Sequence, residues 1–281
     1  MNLSPLRRTP RLFRVAALLA TLTALGAAAT PALAQQPITG DFRLLQLNNF
    51  IEDAGLIRST WLEARGDYAD WGDGGKDKQL TAVAAFAFAE RFEVGGSFGY
   101  LDRSRTEDQV LFGEELGGDF SNNGFGDSNL FGKFQIAGGE KPWAAGLVVK
   151  LATGDESEGL GSGAADYELF VANRRTREKR VFSWNGGVRF NGDPEVSGTG
   201  SGDTSFFVGG GWIFRLSYSW SFLAEGRVET KRYEGDDTAA IVTPSFDYRP
   251  TENIALRLGI GLGFTDGAPD QTYTFGFVFH L

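Results

Sequence analysis

Cysteine is absent from the 281 residues, and the chain contains one methionine and one histidine. Without cysteine, a disulfide framework, a thiolate metal site and a cysteine nucleophile are all excluded. A single histidine also excludes a metal site built from several imidazoles. Basic residues are in the minority, with 27 Lys and Arg against 36 Asp and Glu. Because surfaces that bind nucleic acid are basic, the sequence argues against a nucleic-acid partner.

The first 34 residues have the pattern of a secretory signal peptide. Four arginines precede a short apolar run, and Ala32-Leu33-Ala34 before Gln35 has the small-x-small pattern of a cleavage site. The rest of the chain contains no apolar stretch of about 18 residues, so no transmembrane helix is predicted. We therefore expect a protein exported to the periplasm of a Gram-negative bacterium.

What the chain does contain is typical of an all-β protein: 39 glycines, 24 phenylalanines and six tryptophans. Glycine disfavours helices, and aromatic side chains favour strands. Apolar and polar residues alternate with period two in about twelve segments separated by turn residues. These segments are 58–69, 77–89, 91–102, 125–137, 141–152, 164–174, 179–191, 204–215, 218–231, 237–249, 253–265 and 271–281.

The connections between these segments alternate between short and long. Short ones, such as Glu90-Arg91 and Leu216-Ser217, are interleaved with long acidic or glycine-rich ones, such as 102–126 and 153–166. This organisation is typical of an outer-membrane barrel with short periplasmic turns and longer extracellular loops. The sequence therefore predicts a transmembrane, antiparallel, up-and-down β-barrel of about 12 strands over residues 57–281.

The last segment shows which face of the barrel would meet lipid. An aromatic or aliphatic side chain stands at every second position, and small or polar residues stand between. A soluble β-sandwich also has alternating strands, but strands of 11–13 residues exceed the usual five or six. We expect the stripe to face lipid and to serve as the terminal signal that the outer-membrane assembly machinery reads. It consists of Tyr273, Phe275, Phe277, Phe279 and Leu281.

The same alternation places charged side chains of both signs inside the predicted barrel. Two interpretations remain open: a charge-lined, water-filled pore, or an interior closed by cross-strand ion pairs. The residues predicted to line the lumen are Arg65, Lys133, Lys150, Arg189, Glu225, Arg227, Glu229, Lys231, Asp247 and Arg257.

Residues 35–56 precede the barrel and would start in the periplasm, either as a partial plug of the lumen or as a loose arm. His280 is the one candidate for a catalytic base, and no serine is paired with it in the sequence, so neither catalytic residues nor enzyme activity is expected. The acidic residues of the loops, such as Asp155 and Asp266, do not follow a calcium-loop spacing. No metal or other cofactor is predicted.

Two stretches carry a resemblance to a known family. Gly124-Phe125-Gly126-Asp127 opens a segment that continues to Phe134, and a proline-led segment from Pro142 ends in Leu151-Ala152-Thr153-Gly154. Together they resemble the outer-membrane transporter family associated with the meta-pathway of phenol degradation, over residues 57–281. The resemblance implies a passive channel for a small solute, such as an aromatic or other hydrophobic compound. The alternative is a non-transporting barrel whose loops bind a partner or lipopolysaccharide.

Overall fold

The computed structural model describes residues 52–56, 60–106, 110–112, 114–115, 119–138, 141–195 and 200–281. These residues belong to one compact unit, 39–281. The predicted signal peptide and residues 35–51 lie outside the described residues. In the described part of the chain, no helix is long and apolar enough to span a membrane.

Strands dominate the described residues. They are β1 (Trp61–Asp70), β2 (Gly75–Ala89), β3 (Phe92–Arg105), β4 (Val110–Leu111), β5 (Glu114–Glu115), β6 (Phe120–Phe125), β7 (Ser128–Ala137), β8 (Trp143–Leu151), β9 (Asp166–Arg177), β10 (Arg180–Phe190), β11 (Thr204–Arg215), β12 (Trp220–Glu229), β13 (Ala239–Tyr248), β14 (Ile254–Gly263) and β15 (Gln271–His280). A short 3-10 helix, Gly72–Gly74, joins β1 to β2.

Antiparallel pairing closes the sheet into a barrel. Each strand from β7 to β15 pairs with its neighbour in sequence, β15 pairs with β1, and β1 continues through β2 to β3. The strand β3 then pairs with β7 at one end and with β6 at the other, so β6 and β7 form one interrupted stave. The barrel has 12 staves, as the alternation predicted. Among the described strands, closure pairs the long strands of the wall on both sides, whereas the short β6 pairs with β3 alone.

The stave built from β6 and β7 is longer than expected. The sequence placed a strand at 125–137, whereas pairing with β3 begins at Phe120. Glycine and asparagine in this stretch weaken the strand pattern in the sequence. Cross-strand hydrogen bonds to the far end of β3 compensate for that weak preference. The long connection between β3 and β6 also contains the small hairpin of β4 and β5.

The turns divide the barrel into two halves. Strand pairs such as β9 and β10, or β11 and β12, are joined by short turns at one end, which we call the short-turn half. The connections at the opposite end are longer, for example 152–165 and 191–203, and define the long-loop half. The first residue of β1 and the last residue of β15 lie together in the short-turn half, since Trp61 pairs with His280.

The outer face of the wall is apolar. Leu258 is 61% exposed and Phe275 is 54% exposed, and both lie at the middle of their strands and are cross-strand neighbours. Exposed aromatic and aliphatic side chains recur around the whole wall, which is far more apolar surface than a soluble monomer shows. The terminal stripe belongs to this face. Lipid is the environment that such a band requires.

Aromatic pairs stand at both ends of the apolar band. In the short-turn half, the rings of Trp220 and Tyr248 lie 4.7 Å apart, and those of Trp143 and Trp184 lie 5.4 Å apart. In the long-loop half, the rings of Tyr100 and Phe125 are 5.7 Å apart. Aromatic side chains favour the two membrane interfaces because their rings are apolar and their polar atoms reach water. The barrel is therefore built to span an outer membrane.

Candidate functional site in the barrel interior

Three cavities lie inside the wall, towards the long-loop half. Their volumes are about 460, 340 and 510 Å³. The first two share Arg65 and Arg227, and the last two share Asp77 and Arg103, so the three cavities adjoin one another. Charged and polar side chains line them together with apolar ones.

Where the first and third cavities meet, guanidinium and carboxylate groups form a central cluster. Arg189 pairs with Glu168 and with Glu229. The Nε of Arg232 lies 2.7 Å from Glu229 Oε1, and Arg227 Nη2 lies 3.3 Å from Glu229 Oε2. Arg227 also pairs with Glu52 and lies 4.0 Å from Glu168. We use the term central cluster for Glu52, Glu168, Arg189, Arg227, Glu229 and Arg232.

Glu52 is the one member of the cluster that does not belong to the wall or its loops. It begins the described N-terminal segment, residues 52–56, which lies inside the barrel. Ala54 is fully buried in an apolar cluster with Ala144, Phe170, Ala172 and Phe207. The segment therefore runs from the central cluster in the long-loop half towards the start of β1.

Hydrogen bonds from several strands hold this segment. The Nη1 of Arg174 donates to Asp53 Oδ2 at 2.6 Å, and the Ser183 hydroxyl donates to Asp53 Oδ1 at 3.0 Å. Two backbone carbonyls are also bound: Lys133 Nζ lies 3.1 Å from the oxygen of Gly55, and Gln135 Nε2 lies 3.2 Å from that of Ala54. These four donors belong to β7, β9 and β10.

Ion pairs between wall residues fill other parts of the short-turn half. Arg257 donates through Nε and Nη2 to the two carboxylate oxygens of Asp247, at 2.7 and 2.8 Å. Lys133 Nζ lies 3.1 Å from Glu93 Oε1, and both side chains are buried. A bidentate guanidinium–carboxylate pair has well-defined geometry and strong hydrogen bonds. Both pairs join residues of neighbouring wall strands, and Lys133 also contacts the N-terminal segment through Gly55.

The outermost cavity forms a vestibule near the long loops. Arg105 donates to both carboxylate oxygens of Asp77 at 2.6 Å, and Arg103 Nε donates to the same carboxylate at 3.2 Å. The guanidinium of Arg105 also lies 5.0 Å from the centre of the Trp71 ring. Across the cavity, burial raises the pKa of the Tyr233 phenol, so this group stays neutral at physiological pH.

The loop 152–165 folds back over this vestibule. Asp127 accepts hydrogen bonds from the backbone N–H groups of Thr153, Gly154 and Ser162, at 3.1, 2.9 and 3.2 Å. At the tip of the loop, the carbonyl of Gly159 accepts a hydrogen bond from Arg103 at 2.7 Å. The two stretches that carry the family resemblance thus meet in space. Asp127 anchors the base of the inward-folded loop.

Most residues that the sequence assigned to the lumen lie on the inner side of the wall. Nine of them are buried or partly buried among interior charges: Arg65, Lys133, Lys150, Arg189, Glu225, Arg227, Glu229, Asp247 and Arg257. Lys231 differs from its prediction. The strand β12 ends at Glu229, and the exposed Lys231 in the following loop pairs with Asp203 at 2.7 Å. The alternation of side chains between the two faces of a strand ends with its last paired residue, so it does not place Lys231 inside the barrel.

The sequence prediction missed several interior charges. Arg103 and Arg105 lie beyond the predicted strand 91–102, whereas β3 continues to Arg105, and extending the alternation from Glu93 would have found both. Arg174 is the last residue of the predicted segment 164–174 and has the inward parity of Glu168, but it was not assigned to the lumen. No periodic signal in the sequence identifies Glu52 or Asp53.

The structure also shows the surroundings of the candidate catalytic base and of the acidic loop residues. His280 is buried in β15, and neither ring nitrogen has a hydrogen-bond partner among the described residues. Asp155 accepts hydrogen bonds from the Ser157 hydroxyl and the Glu158 amide, which lowers the pKa of its carboxyl group. Within the described ranges, no three His, Cys, Asp or Glu side chains form a group that could hold a metal ion.

A closed 12-stave barrel with an apolar outer band and a polar interior has the architecture of outer-membrane channels. Residues 88–281 match the model of the family described as "MetA-pathway of phenol degradation", and the chain belongs to this family.

Two solved structures have a similar fold. An outer membrane channel from Pseudomonas putida F1 is 13% identical, with a TM-score of 0.62, over 84% of this chain and all of that one. The KdgM porin is 10% identical, with a TM-score of 0.52, over 79% of this chain and 99% of that one. No curated protein sequence matches the chain.

Proposed function

We propose that this chain forms a passive outer-membrane channel for a small solute, and that the N-terminal segment is its plug. The observation that supports this function most directly is the row of adjoining cavities from the vestibule to Glu52. A barrel whose only role was structural would gain stability by filling such a space with packed side chains. The membership of the family points to aromatic compounds as the solute class.

The long loops support a channel more than a surface-binding barrel. In the loop 152–165, Leu160 and Ser162 are buried, and the loop contributes its Gly159 carbonyl to the vestibule. A loop that folds inward shapes an entrance and offers little surface to an external partner. We propose that contacts with lipopolysaccharide are confined to the outer rim, that the assembly machinery reads the terminal stripe, and that the barrel has no catalytic role.

The contacts of the N-terminal segment support its role as a plug. Its two carboxylates bind wall arginines, and its carbonyls accept hydrogen bonds from Lys133 and Gln135. These contacts are polar, so water can replace them when the segment leaves, and the apolar contact of the segment with the wall includes the small side chain of Ala54. A packed apolar core would not separate so readily. The state described here is therefore the plugged state of the proposed channel.

The proposal is tested by conductance in planar bilayers and solute uptake into liposomes. Neutralising both plug carboxylates in the variant Glu52→Gln/Asp53→Asn should raise the conductance and the uptake of a small aromatic solute. The matched control is Glu156→Gln/Glu158→Gln, which makes the same change of charge in the loop 152–165. The proposal is wrong if neither the wild-type protein nor the plug variant conducts, although both insert as folded barrels.

A further inference from the structure

We propose that the central cluster is a binding site for a small organic carboxylate, which replaces Glu52 at Arg227 and thereby releases the plug. This inference deepens the channel function proposed above and rests on it. It assigns the class of solute and the event that opens the channel.

The central cluster is electrically balanced only while Glu52 is present. It contains three arginines and three glutamates, so its formal charge is zero. Glu168 and Glu229 belong to wall strands, whereas Glu52 belongs to the plug. When the plug leaves, three positive charges face two negative ones. A net positive charge in a partly buried site attracts an anion strongly because little water is present to screen it.

The guanidinium that loses its partner is suited to a carboxylate. The side chain of Arg227 is 15% exposed, and its guanidinium lies 4.2 Å from the centre of the Phe207 ring. Guanidinium groups bind carboxylates through paired hydrogen bonds, and an aromatic face holds the guanidinium in place. Glu52 itself shows which functional group the site accepts. A solute carboxylate would make the same contacts.

The adjoining cavity has room for the body of such a solute. Its volume of about 460 Å³ lies in the range of small-molecule sites. The central cluster lines one part, and apolar side chains that include Val83, Val148 and Ile241 line another. This arrangement suits a molecule with a carboxylate at one end and an apolar or aromatic body. A neutral hydrocarbon would leave the excess positive charge without a partner.

Binding and plug release are coupled because they compete for Arg227. The solute carboxylate and Glu52 cannot occupy the same guanidinium face together, so solute binding favours the released state. The wall carboxyl group of Glu168 is also a hydrogen-bonded neighbour of Glu52, so a solute carboxylate at Arg227 would lie beside both. By reciprocity, weakening the plug must strengthen solute binding by the same factor. The direction of both effects can be measured.

The test uses the absence of cysteine in the natural chain. In Ala54→Cys, the single thiol lies on the fully buried plug and reacts with a maleimide only when the plug is released. Benzoate is the probe, and benzamide is the control of equal shape without charge. We expect benzoate to raise the labelling rate about tenfold, a usual size for coupling between two sites. Benzamide should leave the rate unchanged. The variant Thr251→Cys carries its thiol in an exposed short turn. Its labelling rate shows any direct effect of benzoate or benzamide on the maleimide reaction.

Two further variants connect the response to the cluster. Adding Glu52→Gln should raise the labelling rate without benzoate and tighten benzoate binding measured by calorimetry. Adding Arg227→Gln should abolish the response to benzoate. Because Arg227→Gln can impair folding, the comparison of benzoate with benzamide in the otherwise unchanged chain is the deciding measurement.

The outcomes separate this inference from the channel function. Equal labelling with and without benzoate, or equal acceleration by benzamide, overturns the carboxylate site even if the variant Glu52→Gln/Asp53→Asn conducts. Acceleration by benzoate alone supports the site. If that acceleration occurs while no variant conducts, the binding site stands and the channel function fails.

Discussion

In the short-turn half of the barrel, the plug and wall ion pairs such as Asp247 with Arg257 occupy the interior, whereas the long-loop half contains cavities of several hundred Å³. Both halves are lined by arginines and carboxylates. The difference is where the carboxylates come from. Wall carboxylates belong to paired strands, whereas the carboxylates of the N-terminal segment leave with it in the channel function that we propose. Under that proposal, the same residue types serve stability in one half and solute passage in the other.

The largest expected effect concerns assembly through the end of β15, in the short-turn half. Phe279→Asp should abolish the heat-modifiable barrel in outer-membrane fractions, because the assembly machinery would no longer read an aromatic terminal stripe. The matched control is Leu258→Asp, which places the same charge on lipid near mid-membrane, where acidic residues cost less than about 2–4 kcal/mol. If both variants assemble equally well or equally poorly, the stripe has no special role.

The next largest effect is expected from an ion pair between two wall strands. Arg257→Met leaves the Asp247 carboxylate buried without its guanidinium partner, which typically costs about 3–5 kcal/mol. The midpoint of urea unfolding in detergent or lipid should fall accordingly, with little change in conductance. The double variant Asp247→Leu/Arg257→Met should recover much of the loss, because no buried charge remains. An unchanged unfolding midpoint in Arg257→Met would show that the ion pair with Asp247 does not stabilise the short-turn half.

A smaller loss of stability is expected at the vestibule. Asp77→Asn removes the carboxylate shared by Arg103 and Arg105, and hydrogen bonds to charged groups contribute about 1.5–3 kcal/mol. Water reaches this end of the barrel and offsets part of the loss. The adjacent Lys78 faces outward, is exposed and pairs with Asp102, so Lys78→Gln should leave the unfolding midpoint unchanged. Equal shifts in the two variants would contradict the inward role of Asp77.

The smallest expected effect comes from the removal of a single hydroxyl group that contacts the plug. Ser183 donates a hydrogen bond to Asp53, so Ser183→Ala should increase the open time in bilayers with hardly any change in the unfolding midpoint. Ser245 is an equally buried wall serine whose hydroxyl has no partner among the described residues. Ser245→Ala is therefore the matched control. Open times that change equally in both variants would mean that the hydroxyl of Ser183 does not hold the plug.

The sequence by itself determined the barrel, its strand count and the face that meets lipid. Each of these follows from local alternation, because successive side chains of a strand point to opposite sides whatever the rest of the chain does. The same rule assigned nine of ten lumen residues to the inner side, and it failed for Lys231 only because β12 ends before that residue. Arg103 and Arg105 were missed because the predicted strand ended at 102, whereas β3 continues to Arg105.

Only the tertiary structure decided what the interior charges do. Glu52 and Arg227 are 175 residues apart in the chain, and no periodicity connects them. Whether an inward arginine pairs with its own wall or with the plug depends on barrel closure, which brings β7, β9, β10 and β12 around one short segment. Alternation specifies the side of the wall on which a charge lies. The partner of that charge depends on distances between strands, and these are set only once the barrel has closed.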